Sequence, residues 1–190
     1  MKNAISKILT RTIYRWKAKS HFGKCGKRTY CIKPIRIIGG KHINVGSDVS
    51  ILNGLRIEAY VGSKEAKDPI IEIGNDTNIE QNVHITGGHK VHIGEQCSLL
   101  SGCVITDINH PYENISIPAS KQTIKSTPVS IGNQCFIGTH AVILPGVTLG
   151  KHVVVGANSV VTKSFPDNCV IAGIPAKIIK QYNQQTQIWE

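Results

Sequence analysis

The sequence predicts an all-β fold, a solenoid of short parallel strands, and three observations predict it. Aliphatic residues recur every six positions through most of the chain, glycine often follows them, and the extra residues between repeats fall at one recurring point of the pattern. The composition agrees, because eighteen glycines, 5% aromatics and abundant Ile and Val favour short strands joined by tight turns over a helical bundle.

The six-residue register runs through Val45, Ile51 and Ile57, then Ile73, Ile79 and Ile85, then Ile93, Leu99 and Ile105. It resumes at Ile131, Ile137 and Ile143 and ends with Leu149, Val155 and Val161. All fifteen positions are aliphatic in a chain where Ile, Leu and Val make up 51 of 190 residues, so the pattern is not a product of composition. A period of six suits neither a helix, at 3.6 residues per turn, nor a flat strand, at two. It suits a short strand plus a corner, three of which close one triangular coil and stack each aliphatic residue on its counterpart in the next coil.

Two further columns support the corner. Glycine follows the aliphatic position at Gly46, Gly74, Gly94, Gly132, Gly138, Gly150 and Gly156. The position four residues after the aliphatic one is compact at Thr77, Val83, Cys97, Cys103, Cys135, Ala141 and Ser159, and it is expected to face the same interior. The extra residues lie around 63 to 72, at Val91 and His92, and from about 107 to 130, each time after the third unit of a coil. A solenoid can extrude loops at one corner without disturbing the stack, and loops on a rigid scaffold are where function concentrates. The expectation is a β-helix of about five coils over residues 42–175, with an extruded loop at 107–130.

The net charge of +10 is confined to one end. Residues 1–41 hold twelve Lys or Arg and no acidic residue, leaving ten basic against twelve acidic in the remainder. Within this basic arm Ile5, Ile8, Leu9, Ile13 and Trp16 share one face of a helix, with Lys2, Arg11, Arg15 and Lys19 largely around the other. Such a helix suits an anionic membrane surface, and packing across the solenoid or a neighbouring subunit is the alternative. No recognised motif accompanies the charge, so no nucleic-acid partner is expected. Lys2, Lys7, Arg11 and Arg15 interrupt every apolar run near the N-terminus, which argues against a secretory signal. The six cysteines form no CxxC pair, and a reducing cytoplasm is expected, with peripheral contact at the inner face of the cell membrane. Residues 176–190 are expected to form a helical tail.

From Val45 to Lys180, on the repeat, on His110-Pro111 and on the closing segments Gly156-Ala157-Asn158-Ser159-Val160-Val161-Thr162-Lys163 and Gly173-Ile174-Pro175-Ala176-Lys177, the chain resembles the hexapeptide-repeat acyltransferases. Asn114, Pro118, Pro128-Val129 and Ile131-Gly132 look most like the sugar O-acetyltransferases that decorate bacterial surface polysaccharides. The resemblance implies a left-handed coil, a homotrimer with active sites between subunits, acetyl-CoA as cosubstrate and a saccharide acceptor.

His110 stands where scaffold meets loop, and a hydroxyl acceptor needs a general base, for which imidazole has the best-placed ordinary pKa. The resemblance assigns His110 that role. Asp107, Asn109 and Glu113 are candidates to orient it through the second ring nitrogen or to meet the acceptor, although Asn109 is equally a turn former. The resemblance also places Asn82 near the acceptor sugar. His84 and His89 have an H-x4-H spacing that, with His92 or His110, raises a zinc hydratase as an alternative, but lining the acceptor cleft or a corner suits two of these histidines better. No Ser or Cys stands out as a nucleophile, so direct transfer is preferred to an acyl-enzyme.

For the cofactor, the resemblance points to Phe136, standing where relatives usually have Trp, to the backbone at Gly138 and Thr139, and to Ala157 and Thr162. Lys163, Lys177 and Lys180 are the natural phosphate contacts. N-acetylation of an amino sugar and a non-catalytic β-helix are the remaining alternatives.

Overall fold

A computed structural model describes residues 13–61 and 69–190. Three parallel sheets form the walls of a triangular β-helix. The first contains Lys24–Cys25, Ile43–Val45, Ile71–Ile73, Val91–Ile93, Val129–Ile131 and Thr148–Leu149. The second begins with Tyr30–Cys31, Ser50–Ile51, Asn78–Ile79, Ser98–Leu99, Phe136–Ile137 and Val154–Val155. The third contains Arg36–Ile38, Arg56–Ala59, His84–Gly87, Val104–Thr106, Val142–Ile143 and Val160–Val161.

The strands stack with the aliphatic positions in register. Val45 pairs with Ile73, Ile51 with Ile79 and Ile57 with Ile85, and the same match continues up the helix. All fifteen register residues are at most 3% exposed, and so are the seven compact residues of the second column. Each buried Ile contributes about 1.5–3 kcal/mol of transfer free energy, so a strand of only two residues is held by its inward side chain as much as by its ladder. The compact residues do more than fill space. Thr77 Oγ1 donates to Gly94 O at 3.1 Å, Cys97 Sγ to Gly132 O at 3.2 Å and Cys135 Sγ to Gly150 O at 3.1 Å, each reaching the coil above.

Corners require backbone in the left-handed region, and most are not glycine. Asp48, Asp76, Gln96, Gln134 and His152 turn from first to second sheet with φ between 54° and 61°. Each donates its N–H to a carbonyl one coil earlier, as Gln96 does to Asn75 and Gln134 to Glu95, both at 2.8 Å. These bonds offset the cost of positive φ.

Three expectations change. Residues 24–38, assigned to the basic arm, form a complete first coil, so the helix has six coils where about five were expected. Its inward positions are Cys25, Cys31 and Ile37, spaced by six like the rest, and cysteine fills an aliphatic site well. Residues 176–190 are strands where a helical tail was expected: Ala176–Asn183 runs antiparallel to Cys169–Gly173, and Ile188–Trp189 folds back onto it. Val91 and His92 belong to a first-sheet strand, and the lengthened corner runs through Gly88, His89 and Lys90 before it.

Residues 13–21 are helical, with Ala18 and then Phe22 buried and Ile13 and Trp16 exposed. Ile5, Ile8 and Leu9 lie outside the described residues. No helix among the described residues is long and apolar enough to cross a membrane.

Candidate active site

The insertions all leave from the corner after the third sheet, where strands ending at Ala59, Gly87 and Thr106 are followed by return strands starting at Ile71, Val91 and Val129. The longest begins as a two-strand ribbon, Ile108–Asn109 paired antiparallel with Lys125–Ser126. His110 follows this ribbon directly, and buried Pro111 fixes the chain beyond it. The ribbon and the outer surface of the third sheet enclose a cleft of about 430 Å³, lined by Arg56, Glu58, Tyr60, His84, Thr86, Val104, Thr106, Ile108, His110 and Ile124. The exposed ring of His110 therefore faces a walled space.

His84 lies in the same cleft, in register between Arg56 and Val104. Its Nε2 lies 2.8 Å from Thr86 Oγ1 and 3.7 Å from Glu58 Oε2. Burial, reinforced by the charge of Arg56, holds its pKa below the ordinary histidine value and favours the neutral ring, which suits a ligand-facing hydrogen-bonding group.

Glu58 is 1% exposed. Arg56 Nη2 holds its Oε2 at 2.9 Å, and Arg36 Nε approaches Oε1 at 2.7 Å without the alignment of a hydrogen bond. Burial alone would raise the Glu58 pKa, but hydrogen bonds and charge from Arg56, with help from Tyr60 and Arg36, prevail and keep it below the usual carboxylate range.

Asp107 is fully buried at the foot of the loop. Its carboxylate accepts from the backbone N–H of Gly88 at 2.7 Å, His89 at 2.8 Å and Lys90 at 2.7 Å. Both oxygens are committed to the neighbouring corner, so Asp107 braces the loop base where the sequence suggested direct contact with the His110 ring. Asn109 is exposed on the ribbon. Glu113 pairs with Lys125 Nζ at 3.3 Å and accepts from the Tyr112 N–H at 3.0 Å, outside the cleft lining. Asn82 sits at the opposite edge of the third sheet, in left-handed backbone at φ 58°, its N–H bonded to Asn53 O.

The candidate cofactor residues divide between two corners. Gly138, Thr139 and Ala157 turn from second to third sheet, with Phe136 42% exposed on the adjoining outer face. Thr162 and Lys163 follow the third sheet, on the corner that also extrudes the His110 loop, and Lys163 Nζ lies 5.7 Å from the Phe165 ring centre. Lys177 and Lys180 are exposed on the C-terminal hairpin. Among the described residues, no three His, Cys, Asp or Glu side chains converge in a way that could hold a metal ion, so the histidines of the H-x4-H spacing do not assemble.

Arg56, Glu58, Tyr60, Thr86 and Ile124 are cleft residues that sequence reasoning missed. Arg56 is 28 positions from His84 in the chain and adjacent to it only through coil stacking.

Residues 128–163 match the family model "Hexapeptide repeat of succinyl-transferase". The chain is 38% identical over 164 residues to the putative lipopolysaccharide biosynthesis O-acetyl transferase WbbJ of Escherichia coli, covering 83% of this chain and 81% of that protein. The fold also matches AntD, an N-acyltransferase from Bacillus cereus solved with dTDP and 3-hydroxybutyryl-CoA, at 21% identity and a TM-score of 0.67, over 88% of this chain and 87% of that one. A galactoside acetyltransferase solved with coenzyme A matches at 26% identity and a TM-score of 0.53, over 88% of this chain and 69% of that one.

The repeat, the cleft at its loop-bearing corner and these likenesses define a hexapeptide-repeat acyltransferase with a left-handed parallel β-helix. Within that superfamily the chain belongs to the sugar O-acetyltransferases.

Proposed function

We propose that the protein transfers an acetyl group from acetyl-CoA to a sugar hydroxyl during surface polysaccharide synthesis, with His110 as general base. The observation that carries this reading is the placement of His110 on the ribbon that walls the third-sheet cleft, opposite His84 and Thr86. The chain's extended likeness to a lipopolysaccharide O-acetyltransferase supports it.

In the step, a ring nitrogen of His110 takes the acceptor proton as the hydroxyl oxygen attacks the thioester carbonyl. The C–S bond breaks, the proton passes to the departing sulfur, and the products are an acetyl ester and the free thiol. A general base of this kind contributes about 10²–10⁴-fold. Thr139 supplies a backbone N–H for the developing oxyanion, and Lys163, Lys177 and Lys180 supply cations for coenzyme A phosphates. His84 and Asn82 meet the acceptor.

Because the candidate cofactor residues lie on two corners, we read the working unit as a homotrimer in which one subunit's second-to-third corner faces another's His110 loop. The half-buried column Val104, Val142 and Val160 on the outer third sheet is consistent with a covering neighbour. The exposed Ile13 and Trp16 suit peripheral contact with an anionic membrane surface on the cytoplasmic side.

The deciding experiment measures thiol release and ester formation with labelled acetyl-CoA across a saccharide panel. Wild type transfers label to a hydroxyl, and His110→Ala loses at least about 10²-fold in kcat with its thermal transition unchanged. Full activity in His110→Ala removes the base assignment. Label appearing only on amino sugars as an amide supports N-acetylation instead.

A further inference from the structure

The cleft that holds His110 is chemically asymmetric. On the outer surface of the third sheet the stacked column reads Arg36, Arg56, His84, Val104, Val142, Val160, running from charged through polar to apolar. Two positions further along the strands, on the same outer face, Glu58 stacks against Thr86 and Thr86 against Thr106. Two guanidinium groups thus share one carboxylate at one end, and His84 beside them favours its neutral form.

The charge does not cancel. Among the described residues, Glu58 is the one acidic side chain that ion-pairs with Arg36 and Arg56, so these three groups carry one excess positive charge. The donors are also not exhausted: Arg56 commits Nη2 and Arg36 commits Nε to Glu58, and their side chains remain 47% and 57% exposed. Guanidinium donors form a planar fork suited to carboxylate and phosphate oxygens. A buried carboxylate that remains ionised is expensive unless its partners hold it, and here it pairs with Arg56 on the cleft wall and with Arg36 one rung beyond, at the end away from the valines.

We infer that the acceptor is an anionic saccharide, whose carboxylate or phosphate group is held by Arg56 and Arg36 while its hydroxyl reaches His110. This rests on the saccharide-acetylation reading and names the substrate class of that site. A uronic acid and a sugar phosphate present the same oxygen pair, and the experiment separates them.

Binding is measured first, without turnover, by calorimetric titration of the full chain with methyl galactoside, galacturonate and galactose 1-phosphate. At least one anion binds about tenfold or more tightly than the neutral glycoside, the difference shrinks as salt rises, and it collapses towards unity in Arg56→Gln. The stronger anion identifies the source of the charge. Arg36→Gln, at a more exposed position, gives the same reading if Arg56→Gln fails to fold. Equal binding of charged and neutral sugars, or a preference unchanged in a folded arginine variant, overturns the inference whatever the transfer assay shows. The same compounds then serve as acceptors with labelled acetyl-CoA: a selective anion that binds but receives no acetyl group counts against the acetylation reading and leaves the anion site standing.

Discussion

The buried carboxylate of Asp107 reaches across the loop base to the backbone N–H of Lys90, 2.7 Å away, and ties the longest insertion to a shorter one on the coil below. Gly88 and His89 donate to the same carboxylate, so one side chain satisfies three backbone donors that cannot reach a sheet partner. Asp107→Ala leaves all three unpaired. Its cost is about 3 kcal/mol or more, a fall of about 6–12 °C in Tm for a chain of this size. Asp107→Asn retains one acceptor but turns an amide towards backbone N–H groups, and it loses nearly as much. Calorimetry reads both, and an Asn variant as stable as wild type would remove the brace.

Gly54 occupies a second-to-third corner at φ 85°, and a Cβ there would collide with Asn82 Oδ1. Gly54→Ala combines backbone strain with displacement of the Asn82 side chain, at about 1–3 kcal/mol. If Asn82 meets the acceptor, KM rises along with the loss of stability. Chemical denaturation combined with initial-rate kinetics checks both halves.

The low pKa of His84 has a consequence for stability against pH. Burial and Arg56 depress the folded value below the ordinary 6.5, so the unfolded chain binds more protons between the two values. The contribution of His84 is therefore present above pH 6.5 and is lost as pH falls below it. Glu58, also depressed, adds a second loss as pH falls below its ordinary 4.5. Tm compared between pH 7.5 and 5.5 declines less steeply in His84→Gln than in wild type; parallel declines would contradict the assignment.

The cysteines are held as packing groups. Burial pushes the thiols of Cys31 and Cys103 up to about 12. The neighbouring Cys97 sulfur, together with burial, raises that of Cys135. Cys97 is held lower beside the Cys135 sulfur but is fully buried. A thiol-reactive dye added to the native protein leaves these four unlabelled over minutes, and guanidinium exposes all six. Fast native labelling of Cys97 would show that the coil opens at that level.

The part of the fold set by one repeating physical demand, an aliphatic side chain every six residues, was legible throughout Val45 to Val161. The first coil escaped because two of its three inward positions are Cys25 and Cys31, which bury as readily as valine but do not register in an aliphatic pattern. Ala176–Asn183 escaped because its pairing with Cys169–Gly173 is set by the turn at Gly173, in left-handed backbone at φ 107°, and its largely exposed face shows no clean alternation. His110 was legible from its position beside the loop. Arg36, Arg56 and Glu58 were not, because their shared site depends on the first coil stacking on the second, and the first coil did not register in the aliphatic pattern.

The in-register third sheet makes the cleft a ruler. Successive rungs lie about 4.8 Å apart, so the offset between the arginine fork and the imidazoles comes only in whole steps of that size. Evolution or design can lengthen the span between charge and reacting hydroxyl by duplicating a coil, and shorten it by deleting one, without redrawing either end. Acceptor length is thereby a digital property of this scaffold, while acceptor chemistry is set separately by the residues standing on each rung.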